Sequence, residues 1–162
     1  TVKIGCKEGI TIEDVKKVGA QMHWLSYYHK WIPQENFYYA QKYTGFTANE
    51  DGRSEGTYSK YASLDDKTDG FHFYLGYIKF GLGRASRDAM MEIRSGHITR
   101  EEGVSLVKRY DGEFPQKYFK EFLEYLDIDE KHFWEIIDAY RAPHLWERVS
   151  ASKEWRLKHQ AS

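Results

Sequence analysis

From residue 70 onward the chain is punctuated by helix starts and stops, and these constrain the fold more than any other feature. Residues 71–80 read as an aromatic helix bounded by Gly81. Residues 84–95 read as a second helix ending at Gly96, a natural residue just past a helix end. Thr99 and Glu102 form a capping box, and Val104 and Val107 give the helix behind it a buried stripe before Asp111-Gly112 ends it. Pro115 is expected to open another helix, with Phe119, Phe122, Leu123 and Leu126 on one face. Asp127 with Glu130 is expected to cap the next, whose core side carries Phe133, Ile136, Ile137 and Tyr140. After Ala142-Pro143, Trp146–Val149 and Trp155–Lys158 alternate in polarity around Ser150-Ala151-Ser152, the pattern of a small hairpin.

Upstream, Thr11 and Asp14 mark a helix start, and Val15, Val18, Met22 and Leu25 continue at helical spacing, giving an amphipathic helix over 12–29. Pro33 opens a shorter helix that Thr44-Gly45 stops. Residues 44–70 break the pattern: Gly, Ser, Thr, Asn and Asp dominate, which reads as a long loop. Loops of that length inside a domain are commonly either functional or mobile connectors, and the embedded Phe46, Tyr58 and Tyr61 argue that this one docks. The expected architecture is mainly α: a single domain of about six helices, with one long loop and a small C-terminal β-hairpin.

Charge and composition remove several functions. A net charge of −1 gives no electrostatic pull toward nucleic acid. The single cysteine, Cys6, excludes an intrachain disulfide and a Cys-rich zinc site. No run approaches the about 18 apolar residues that span a bilayer, so no membrane insertion and a cytoplasmic location are expected. His23 and His29 are six apart, and neither an HExxH pair nor a GxSxG elbow occurs.

Two stretches carry candidate chemistry. Behind Gly81-Leu82-Gly83 stand Arg84, Arg87 and Arg94, with Lys79 just upstream. Glycine lets a ligand approach the backbone, and a helix start with arginines in its first turn can hold an anion. The competing reading is a solvated face with internal pairs, Asp88 lying four residues after Arg84. The second stretch is Gly56-Thr57-Tyr58-Ser59-Lys60-Tyr61, followed by Leu64-Asp65-Asp66. Tyr58, Lys60 and Asp65 suit a sugar nucleotide or Mg²⁺, although Asp65-Asp66 also suits the capping of the helix at 71.

The stretches EGTYSKYASLDD (55–66), YIKFGLGRASRDAMMEIRSGHITREEG (77–103) and LVKRYDGEFP (106–115) resemble the C-terminal portion of the N-acetyl sugar amidotransferases. These are lipopolysaccharide and surface-sugar enzymes of the N-type ATP pyrophosphatase class. Weaker similarity runs through YYHKWIPQEN (27–36) and LWERV…EWRLKHQ (145–160). The resemblance implies that ATP, with Mg²⁺, activates a sugar acetamido oxygen as an adenylate. Ammonia from a glutaminase partner then displaces AMP, leaving an acetamidino sugar. The implied substrate is a nucleotide-linked N-acetyl sugar, with a homo-oligomer an open expectation. On this reading Arg84, Arg87 and Lys60 are candidates for anion contacts, with Lys79, Tyr58 and Asp65 beside them in the substrate site.

One departure matters. The class binds ATP through an SGGxDS loop, and no such motif is present. The chain is therefore expected to be a C-terminal part of a longer enzyme, with residues 1–43 at the junction with an ATP-pyrophosphatase domain. Alone it is expected to be inactive and to bind no cofactor. The alternative is a non-catalytic helical module that docks a glutaminase subunit or mediates self-association.

Overall fold

The computed structural model of the chain describes residues 11–149 and 154–162. It divides into two units, 1–31 and 32–162. Cys6 and the whole Ser150-Ala151-Ser152 turn lie outside the described residues.

In the first unit the helix expected over 12–29 is two pieces, α1 (Ile12–Val18) and α2 (Leu25–Tyr28). Thr11 and Asp14 form the expected capping box. Gly19 then adopts the left-handed conformation (φ 64°), and its N–H closes on the carbonyls of Val15 and Lys16, which ends α1. The apolar residues read as one stripe, Val15, Val18, Met22 and Leu25, stand exposed.

The second unit holds α3 (Pro33–Thr44), α4 (Asp69–Phe80), α5 (Arg84–Ser95), α6 (Arg100–Tyr110), α7 (Phe119–Leu126) and α8 (Glu130–Ala139). A two-stranded antiparallel hairpin follows, β1 (Trp146–Arg148) and β2 (Trp155–Leu157), with Trp146 opposite Leu157. The protein is thus mainly α with a terminal hairpin, and the described residues contain eight helices rather than about six. None of them is long and apolar enough to cross a membrane.

Aromatic rings make the core. Phe71, Tyr74 and Ile78 of α4 meet Phe119 of α7, Phe133 and Ile137 of α8, and Trp146 of β1. Phe71 stacks on Phe122 at 3.9 Å, interplanar angle 2°. A marginal two-stranded ribbon needs such a body to pack on. Here Trp146 anchors it, donating its indole N–H to the Ile78 carbonyl at 2.7 Å. That carbonyl lies in the last turn of α4, where acceptors lack partners within the helix.

Two boundaries differ from expectation. Pro115 is buried but does not open a helix; α7 begins only at Phe119, behind Tyr118. Pro115 instead packs beside Gly70, where a Cβ would come within 2.8 Å of the proline ring. Asp127 is the left-handed end of α7 (φ 54°), and the cap of α8 is Asp129, which accepts from the His132 N–H at 2.7 Å. Tyr140 and Leu126, expected on buried faces, are exposed because each falls at a helix end.

Candidate functional site

Residues 45–68 have no regular structure, and the polar side chains that excluded them from a helix fasten them to the helical body. Glu113, just after α6, accepts two bonds from the Arg53 guanidinium at 2.6 and 2.7 Å and a third from the Gly56 N–H at 2.8 Å. Arg53 also lies over the Tyr110 ring at 4.6 Å. Glu55 reaches the other way and accepts from the backbone N–H groups of Gln116 and Lys117. Thr57 is buried and donates to Asp88 on α5 at 2.6 Å, and Tyr61 stacks on Phe37 of α3 at 4.4 Å. The docking expected from Phe46, Tyr58 and Tyr61 is present, but charge-assisted hydrogen bonds carry most of it.

The start of α5 is not the open anion site that its glycines suggest. The Asp111 carboxylate accepts from the N–H groups of Gly83 and Ser86, both at 3.0 Å, and from the Ser86 hydroxyl at 2.6 Å. The Ala85 N–H donates to the Gly56 carbonyl at 3.1 Å. A helix N-terminus attracts negative charge, and here the protein supplies that charge itself. Gly83 is required for this closeness: a Cβ there would sit 2.6 Å from an Asp111 oxygen.

Arg84 turns from that start into the protein. Its side chain is 9% exposed. Nε donates to both Asp88 oxygens at 3.2 and 3.3 Å, Nη1 donates to the Ser63 hydroxyl at 3.1 Å, and the guanidinium covers the Phe73 ring at 4.2 Å. Ser63 has φ 57°, a conformation uncommon outside glycine, so the loop is held tightly at this contact. Among the described residues Nη2 has no hydrogen-bond partner.

The loop, the start of α4, Arg84 and the Pro115–Tyr118 turn enclose a cavity of about 490 Å³, a size typical of small-molecule sites. Arg84 and Asp65 both line it, whereas Arg87, Lys60, Lys79 and Tyr58 do not. Arg87 and Lys60 are exposed, and among the described residues neither has a carboxylate partner. Lys79 lies over the ring of its neighbour Phe80 at 5.3 Å. Tyr58 is half-buried near Tyr110, and among the described residues its hydroxyl has no hydrogen-bond partner. Burial, with the charges of Glu92 and Asp88, pushes the Tyr58 hydroxyl well above the usual phenol range, and Tyr61 up to about 12 for the same reasons. Asp66 does not cap α4; it accepts from the Thr68 N–H and hydroxyl, a local turn that lowers its pKa.

Sequence reading missed Arg53, Lys67, Asp111, Glu113 and Lys117. Their partners lie 25 to 66 residues away, beyond any periodicity. The one available signal was that Asp111 and Glu113 fall in LVKRYDGEFP, which meets EGTYSKYASLDD across this site.

Residues 55–161 match the model of a family described as the C-terminal domain of WbpG-like LPS biosynthesis proteins. No curated protein matches the chain.

Proposed function

Because the chain belongs to the family of WbpG-like LPS biosynthesis C-terminal domains, we propose that it is the substrate-side portion of an ATP-dependent N-acetyl sugar amidotransferase. The reaction replaces the acetamido oxygen of a nucleotide-linked sugar by nitrogen, with ammonia from a glutaminase partner. The observation that carries this reading is convergence. Residues from all three resembling stretches, Glu55, Asp65, Arg84 and Pro115 among them, line one cavity, most of whose lining falls in the family-matched region.

The reaction also needs ATP and Mg²⁺. The α5 start is filled by Asp111, and no group of three His, Cys, Asp or Glu among the described residues is placed to hold a metal. In this reading another part of the enzyme holds them, and this chain binds and orients the sugar. Arg84 offers Nη2 to a sugar oxygen, and Asp65 accepts from a hydroxyl. Arg87 and Lys60, exposed and without carboxylate partners, remain available to the nucleotide phosphates.

The test uses the intact enzyme and free ammonia, so that glutaminase docking is bypassed. Arg84→Gln and Asp65→Asn should each abolish or sharply reduce acetamidino-sugar formation while the glutaminase still co-purifies. Wild-type turnover in both variants would overturn the reading. A second reading, glutaminase docking, rests on Tyr38, Tyr39 and Tyr43 of α3, exposed by 57%, 64% and 59%. Amphipathic rings of this kind are enriched at interfaces. Serine at positions 39 and 43 should then break the complex and leave ammonia-dependent turnover intact.

A further inference from the structure

α5 and α6 pack along each other at close range because small residues meet at their contact. A Cβ on Gly103 would lie 2.6 Å from Ile93 Cδ1 and 3.6 Å from the Ala89 Cβ. The seam opens into a groove of about 350 Å³ lined by Met90, Ile93, Val104 and Val107, with Arg94 and Arg100 beside them. It shares no lining residue with the cavity at Arg84. Met90 is 62% exposed and Ile93 36%, so apolar surface is presented to solvent between two arginines.

The groove already holds a length of peptide. Ala161 lines it, and Arg100 donates from Nη2 to the Ser162 carbonyl at 2.6 Å. That fit is incomplete. Residues 159–162, His-Gln-Ala-Ser, bring no carboxylate side chain and follow the cationic Lys158. Among the described residues the lining includes no acidic side chain, and neither Arg94 nor Arg100 has a carboxylate partner. A guanidinium fork matches a carboxylate with two parallel hydrogen bonds. Methionine adapts its shape to what covers it, and both Met and Arg are favoured at interfaces. The groove therefore calls for negative charge beside small apolar side chains, and the chain's own tail supplies only the second.

We propose that the α5–α6 groove docks an acidic peptide segment of a partner protein, and that residues 159–162 occupy it in the partner's absence. The segment lays small apolar side chains on Met90, Ile93, Val104 and Val107 and sets carboxylates on Arg94 and Arg100. Tail and partner compete for Arg100, so docking of one requires release of the other. Only the residues beyond Lys158 need to move, because the Lys158 N–H is held by the Leu145 carbonyl at 2.9 Å.

The experiment is fluorescence anisotropy on the 162-residue chain. The probes are a labelled peptide alternating Glu with Ala and Val, and the same peptide with Lys in place of Glu. The acidic peptide should bind saturably and lose affinity as salt rises, because both arginines are exposed. The Lys peptide should not bind. Removing residues 159–162 should tighten the acidic peptide by about two- to tenfold, since the seated tail withholds the groove from part of the population. Arg94→Glu with Arg100→Glu should weaken it by about tenfold or more, and Met90→Ser by a few-fold. All three side chains are exposed, and circular dichroism verifies that the variants stay folded. Equal binding of the two peptides, acidic binding that survives the double charge reversal, or no binding by the folded tail-deleted chain would overturn the proposal. An affinity unchanged by the deletion would overturn the tail's part in it. Dimerisation of the tail-deleted chain in sedimentation velocity, without peptide binding, would assign the groove to a second copy and overturn it too.

Discussion

Glu113→Gln tests whether the loop is held as described. The carboxylate accepts two short bonds from Arg53 and one from the Gly56 N–H. An amide of the same shape has one acceptor oxygen, and its NH₂ faces a donor wherever it is turned. Hydrogen bonds involving a charged partner contribute about 1.5–3 kcal/mol each. Arg53 and Glu113 are about a third exposed, however, and solvent screening reduces the ionic part toward the surface value of about 1 kcal/mol or less. The expected loss is about 1–2 kcal/mol at pH 7, or about 2–8 °C in Tm.

The sign with pH is fixed. The Arg53 bonds, with that from Gly56, hold the Glu113 pKa below its ordinary value, against a partial burial that raises it. The unfolded chain therefore binds the proton first. The stabilisation is complete above the unfolded value of about 4.3 and disappears as pH falls through the lower folded value. Urea denaturation at neutral and acid pH should show wild type and Glu113→Gln converging in acid. A double-mutant cycle with Arg53→Met should give a coupling of about 0.5–3 kcal/mol. Equal stabilities at neutral pH together with no coupling would refute the docking argument.

Other outcomes follow from single contacts. Gly112→Ala should destabilise by about 1–3 kcal/mol or more in thermal denaturation, since φ is 78° there and a Cβ would strike the Tyr77 ring. Trp146→Phe removes the donor to the Ile78 carbonyl and should cost about 1–3 kcal/mol, measured by urea denaturation. In an alkaline ultraviolet titration Tyr61 should ionise only near pH 12 and Tyr58 later still. Because the folded chain then holds protons that the unfolded chain has lost, stability should fall as pH rises above about 10.

Local signals explain most of the fold that was legible. The capping boxes at Thr11 and Thr99, the stop at Gly96 and the alternation around Trp146 and Trp155 are short-range chemistry, and each gives the expected element. Gly19 was overridden by the apolar spacing around it, yet its left-handed turn ends α1. Asp127 was the expected cap of α8, and Asp129 lies two residues beyond it. Only the second has its carboxylate on a free helix N–H. At the site, Arg84 and Asp65 were readable as reactive residue types. Which of the other cations are free was not, because that depends on carboxylates 54 to 66 residues distant. Asp111 occupying the α5 start is the clearest instance: nothing near Gly83 in sequence announces it.

Amide chemical-shift mapping with methyl N-acetylglucosaminide tests the central claim most directly. Signals of Ser63–Phe73, Arg84 and Gln116–Tyr118 should move together along one saturation curve. Shifts confined instead to Lys60, Lys79, Arg87 and Arg94 would contradict the account, because they would put the sugar on the exposed cationic residues and leave the carboxylate-lined cavity without a role.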